Sequence, residues 1–259
     1  RNTIDKPTDV IICNENKPTL TSFNLPNTII QINSSTQNTA LGYEALKRNN
    51  TAGNTNTAFG FGVGRLLSSG TGNVIMGRNA LSATGSSSQN IAIGDSAMGN
   101  AIWSFGNTAV GYQALKNLDG RFLYTYNTAI GYASQNAATG NTDPTVSSLN
   151  TSVGGYSMAD NVTGKNNTAI GVSALRFNDS SSLNTAVGQN ALAYHKRNGD
   201  SYNVAVGTSA LERDIIGVWN TAIGAEAMRY ATRSTLNSAI GFRTLKLIMD
   251  GGENNTLGV

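Results

Sequence analysis

The stretch that decides the fold is Asn167-Thr-Ala-Ile-Gly-Val-Ser-Ala-Leu175. The same pattern begins at Asn38, Asn56, Asn73, Asn90, Asn107, Asn127, Asn150, Asn184, Asn203, Asn220 and Asn237, which with Asn167 makes twelve units. A thirteenth is expected near Asn255, and the chain stops inside it at Gly258-Val259, as expected for a fragment of a longer protein. Seven of the spacings are 17 residues, and the longer ones are 18, 19, 20 and 23. A near-constant period over most of a chain marks stacked units that bury a face only against their neighbours.

The residues of one unit can be read with the Asn as position zero. Position three is apolar in every unit and mostly β-branched, as in Val110, Ile130, Ile170 and Ile223, which suits a strand. Position one, usually Thr, shares its face. Positions two and four are Ala and Gly almost throughout, and position eight is Leu or Met in most units, as in Leu46, Met98, Leu175 and Met228. Polar stretches with Thr-Gly pairs close each unit, and these are turn residues. Seventeen residues are too few for the two helices of a helical repeat, whose usual period is about 33 or more. Gly in a helix interior also costs about 1 kcal/mol. The pattern therefore predicts an all-β fold of about twelve short coils, each with one strand over Thr-Ala-Ile-Gly and a second near Ala-Leu. Parallel stacking at about 4.8 Å per coil gives a rod of roughly 60 Å. Positions three and eight are expected to form apolar columns, and the Asn side chains an amide ladder. The bare Ala/Gly face is expected to lie against sister chains, three of them around a threefold axis.

Composition narrows the function. The chain has 259 residues, 13% charged, with 33 Asn, 29 Gly, one Cys and one His. One Cys and one His exclude a disulfide framework, a Cys-based zinc site and a multi-His metal centre. No apolar run approaches the roughly 20 residues that span a bilayer. A net charge of +3 without a basic face gives no reason to expect nucleic acid. Gly60-Phe-Gly-Val-Gly64 lacks the spacing of a dinucleotide loop, Gly164-Lys165 lacks the preceding Gly of a phosphate loop, and no nucleophile elbow with a His partner is present. No catalytic residue, cofactor or metal is expected.

Asn107-Thr-Ala-Val-Gly-Tyr-Gln-Ala-Leu115 and Asn167–Leu175 resemble the head repeats of YadA-type trimeric autotransporter adhesins, and more closely the related repeats of phage and large-virus fibre proteins. The resemblance covers residues 38–259. It implies a left-handed parallel β-roll (a left-handed β-solenoid) assembled as a homotrimer in an exposed fibre or adhesin. Seventeen-residue units are longer than the bacterial ones and closer to the viral versions. The implied location is a virion surface, with a bacterial outer surface as the alternative.

Residues 1–37 lie outside the period and read as an end cap, or as a junction to a preceding domain; Cys13 falls there as a buried free thiol. The long units carry extra residues, and insertions in repeat proteins collect on one face, often the binding face. Arg121, Phe122, Tyr124 and Tyr126, with Tyr194 and His195, are the candidate contacts with a host-surface glycan or protein. The bland alternative is that these loops only cover the roll, with His195 as a solvated loop residue and Trp103 and Trp219 as packing residues. The Asn-x-Ser/Thr sequons at Asn33, Asn49, Asn150, Asn161 and Asn178 read as accidents of composition. The expected function is non-enzymatic attachment through displayed loops. A structural spacer and a fibre-borne glycan hydrolase with paired carboxylates are its rivals.

Overall fold

The structure is a computed structural model that describes residues 23–25, 28–33, 37–48, 54–83, 85–118, 125–136, 147–248 and 251–258. Three-residue strands recur once per unit, from Thr57–Phe59 to Asn255–Leu257, and pair in parallel in sequence order. The register matches the repeat: Ala169 faces Ala186, Ala186 faces Ala205, and Ala205 faces Ala222. The chain is a parallel β-solenoid of about a dozen coils, with no helix among the described residues. Among the described residues, therefore, no helix is long and apolar enough to cross a membrane. Ahead of the first coil, strands β1 (Phe23–Leu25) and β2 (Thr28–Asn33) form an antiparallel pair, and β2 runs antiparallel to β3 (Asn38–Leu41). The edge of β3 is thus paired rather than open, which removes a template for unwanted strand addition.

The Asn column holds the coils in register. Each Asn Oδ1 accepts the backbone N–H of the Asn one coil later, in twelve successive bonds of 2.8–3.2 Å from Asn38 to Asn254. Most of the Nδ2 groups donate to a carbonyl fourteen residues on, as in Asn220 to Ser234 at 2.7 Å. These amides are buried in all coils from Asn38 to Asn237, and a buried amide is tolerated because both of its ends are bonded. The ladder crosses the 20- and 23-residue units without a break, at 2.9 and 3.0 Å, so the extra residues leave the stacking undisturbed. It also places the thirteenth unit at Asn254, one residue earlier than the sequence pattern alone suggested.

The strand faces are the reverse of the sequence expectation. Position-two alanines such as Ala92, Ala169 and Ala222 are 0% exposed, whereas position-three residues such as Ile130, Ile170 and Ile240 are 40–42% exposed. The alanines face the lumen, opposite the position-seven alanines and the position-eight Leu and Met. The lumen is narrow, so the large side chain at position eight fills the space facing the strand, and the strand itself contributes only a methyl. Coil 73 keeps the same volume with the sizes exchanged. Ile75 replaces Ala at position two, and Gly64 replaces Leu at position eight of the preceding coil. A Cβ on Gly64 would lie 2.7 Å from Leu46 Cδ2 and 3.3 Å from Ile75 Cδ1.

The expected second strand at Ala-Leu is a run of turns. Position-eight leucines such as Leu46, Leu115 and Leu211 adopt φ of 48–49°, a left-handed geometry that costs about 1–2 kcal/mol for an L-residue. Full burial of a Leu side chain contributes roughly 1.5–3 kcal/mol, which offsets that strain. Inter-coil hydrogen bonding continues through the corner: Leu46 N–H donates to Val63 O at 2.9 Å, and Leu211 N–H to Ala227 O at 3.0 Å. The position-four glycine is demanded by this chain's own next coil rather than by a sister chain. At Gly171, φ is +135° and an added Cβ would sit 2.5 Å from Gly188 O.

The core is two apolar clusters, one spanning Ala40 to Ala129 and the other Met158 to Ala239. Between them lies a polar seam of buried Ser134, Gln135, Ser147, Ser152 and Ser157. Ser134 and Ser152 share a hydroxyl–hydroxyl bond, Ser157 Oγ donates to Ala169 O at 3.0 Å, and Gln135 Nε2 donates to Ser147 Oγ at 2.8 Å.

Candidate functional site

Three features stand out once coil positions are compared. The first is the outer face of the sheet. Position three presents Leu41, Met76, Ile130, Ile170, Ile223 and Ile240 to solvent, and beside them run exposed aromatics. Tyr43 stacks on Phe61 with centroids 5.3 Å apart, Tyr112 on Tyr132 at 5.0 Å, and Tyr202 on Trp219 at 6.4 Å. Tyr126 and Trp219 are exposed at the corner residue just before the Asn, both with positive φ. Trp219 is thus a surface residue in the single chain, not the packing residue the sequence suggested.

The second feature is a ridge built from positions nine and ten of the later coils, joined by Tyr156 at position six of its own coil. Arg176 lies between the rings of Tyr156 and Phe177, 4.8 and 4.9 Å from their centroids. Phe177 stacks on Tyr194 at 4.9 Å. Two rungs on, Arg213 and Arg229 flank Tyr230 at 5.5 and 5.3 Å. Tyr194, expected as a contact residue, is exposed on this ridge.

The third feature is a buried polar line that sequence reading missed. His195 is 0% exposed, so its imidazole is not on the surface and is not the solvated loop group expected. Counting from Asn184 places it at position eleven, the inward position of Leu67 and Leu118. That count was available in the sequence. Nδ1 donates to the carbonyl of Asp214 at 3.1 Å, and Nε2 accepts from Ser201 Oγ at 2.9 Å. Those partners fit a neutral ring, and burial pushes its pKa down to about 4. Burial also pushes the Asp214 carboxyl well above its usual range. Asp214 Oδ1 accepts from Gly217 N–H at 2.8 Å, while Oδ2 has no hydrogen-bond partner and stands 3.6 Å from His195 Nδ1. Ser, His and Asp thus lie in line, but Ser201 is fully buried and admits no substrate to its hydroxyl.

Of the remaining candidates, Arg121, Phe122 and Tyr124 lie outside the described residues, as do Cys13 and the sequon at Asn49. The sequon residues Asn150, Asn161 and Asn178 are buried. Three carboxylates, Glu44, Asp95 and Glu226, are engaged by cations. Glu44 is held below its usual range by a 2.6 Å bond from Lys47, and Asp95 by Ser96 and Arg78. Glu226 is lowered to about 2 by Lys246 and then Arg243. A general acid for glycoside cleavage needs the opposite shift. No group of three or more His, Cys, Asp or Glu that could hold a metal occurs among the described residues. No family model matches this chain, and neither a curated protein nor a solved structure matches it.

Proposed function

We propose that the chain is a non-enzymatic segment of a surface fibre that assembles as a homotrimer and attaches a virion, or a bacterial cell, to a host surface. The observation that carries this reading is the outward aliphatic and aromatic face of the sheet, repeated from Leu41 to Ile240. A contiguous apolar patch larger than a few hundred Å² marks an interaction surface, and this one follows the sheet for roughly 60 Å at about 4.8 Å per coil. Two further copies cover it in a closed threefold arrangement, each burying the same face. The interface therefore uses position three, not the Ala/Gly positions. Three chains per fibre and many fibres per particle turn weak contacts with a host glycan or protein into high avidity.

The test is binding of the labelled, assembled chain to a glycan array and to host cells. Saturable binding to either is the expected result. An intact trimer that binds neither is a structural spacer, and the attachment reading falls.

A further inference from the structure

We propose that the ridge running from Tyr156 to Tyr230 binds an acidic polysaccharide, carrying carboxylate or sulfate groups, laid along the shaft. The inference rests on the reading of the chain as an exposed attachment segment and names the ligand class for it.

The argument begins with charge. Arg176, Lys196, Arg197, Arg213 and Arg233 form no ion pair among the described residues. The neighbouring Arg229, Arg243 and Lys246 are committed to Glu212 and Glu226 at 2.6–3.0 Å. The exposed acids on this flank, Asp160, Asp179 and Asp200, also make no ion pair with the free cations. Between residues 156 and 246 cations outnumber carboxylates, and of the five without a counter-charge Arg176 and Arg213 stand at the ridge positions nine and ten.

The second step is geometry. Arg176 is clamped between two rings, and its Nε is buried with no hydrogen-bond partner. Arg213 lies over Tyr230. A guanidinium held on aromatic faces keeps its planar fork in one orientation, and that fork matches a carboxylate or sulfate with two parallel bonds. Because the donors are already ordered, little conformational entropy is lost on binding. Successive rungs are about 4.8 Å apart, close to the length of one pyranose unit. A glycan chain parallel to the axis therefore meets each rung in turn.

The ring faces separate a glycan from single-stranded nucleic acid. Proteins that bind such strands offer open aromatic faces on which bases stack. Here Phe177 and Tyr194 face each other, and Tyr156 and Tyr230 are covered by guanidinium groups. The ridge offers cationic hydrogen-bond donors and ring edges, not stacking platforms.

The experiment measures binding of the full chain to immobilised dextran sulfate, polygalacturonate and neutral dextran. Binding to at least one anionic polymer, weakened by salt and absent on neutral dextran, is expected; the arm that binds distinguishes sulfate from carboxylate. Each of Arg176→Gln and Arg213→Gln is expected to weaken binding roughly tenfold, the scale of a charged hydrogen bond. Arg78→Gln, at a distant rung, leaves it unchanged. Arg213 is exposed, so its variant keeps the test valid if Arg176→Gln disturbs the fold. Equal binding to neutral dextran, unaltered binding by Arg213→Gln, or stronger capture of single-stranded DNA than of either glycan overturns the proposal. If these outcomes occur while the trimer still binds host cells, the ridge assignment falls and the attachment reading stands.

Discussion

The same inward position is filled in two ways along this shaft. At position eleven the N-terminal half uses Leu67, Ala101 and Leu118, whereas the four coils that begin at Asn150, Asn167, Asn184 and Asn203 use Asn161, Asn178, His195 and Asp214, all buried, before Ala231 restores an apolar residue. The apolar version needs only volume. The polar version needs partners, and they run out along the column. Asn178 Nδ2 donates to Asn161 Oδ1 at 3.0 Å and to Ser181 O at 3.0 Å. Two coils later Asp214 Oδ2 is left without a bond, and one coil beyond it, at position fourteen, so is the hydroxyl of Ser234. The backbone ladders are the same in both halves, so a coil held by Asn bonds and carbonyls tolerates a polar interior, at a cost set by each unpaired atom.

The comparison is broken most severely in the apolar half. Leu115 and Gln135 occupy position eight of adjacent coils. Leu115→Ala is expected to lower unfolding stability by about 2–5 kcal/mol, the usual cost of a core cavity, read by denaturant melts of the assembled chain. Asn203→Ala is expected to cost about 2–3 kcal/mol, because it leaves the Asn220 N–H and the Gly217 carbonyl without their partners. Asp214→Asn sharpens the contrast in the other direction. The change copies Asn178, removes a carboxyl whose ionisation burial opposes, and is expected to add about 1–2 kcal/mol near neutral pH. Gln135→Leu is the smallest change, expected to add about 1 kcal/mol by removing the unpaired Gln135 Oε1.

The pH dependence separates the two titrating groups of the polar column. The His195 pKa is about 4 in the fold against 6.5 unfolded. As pH falls from 6.5 towards 4, the unfolded chain takes up a proton that the fold refuses, so stability drops by up to about 1.4 kcal/mol per pH unit. Asp214 acts in the opposite sense. Its folded pKa is raised above 3.8, so the unfolded carboxyl ionises first and stability declines as pH rises above 3.8. Melts across this range are expected to show a steeper acid-side loss in Asp214→Asn, where His195 titrates alone, and the reverse slope, with stability falling as pH rises, in His195→Asn, where Asp214 titrates alone.

Much of the architecture is legible in the spacing of Asn. A column of identical residues at one period fixes the register, and the ladder from Asn38 to Asn254 follows it through every long unit. What the spacing leaves open is which strand face is inside. A row of alanines reads equally as a narrow lumen or as a seat for another chain, because both need a small side chain. The width of the closed coil decides, and width is not a local property. His195 and Gln135 were hidden for a different reason. Each sits in a lengthened unit, where the surrounding sequence looks like loop and only counting from the preceding Asn shows an inward position. The ridge at Arg176 was invisible because its members, Tyr156, Phe177, Tyr194 and Arg213, come from four different coils.

The orientation of the strand, alanine inward and isoleucine outward, is the point on which the proposed trimer turns, because the proposal has sister copies cover the outward row. Sedimentation equilibrium of the chain at micromolar concentration tests it most directly. The account predicts a mass three times the 27.0 kDa of one chain. A stable species of 27.0 kDa, with the row from Leu41 to Ile240 left in water, would contradict it.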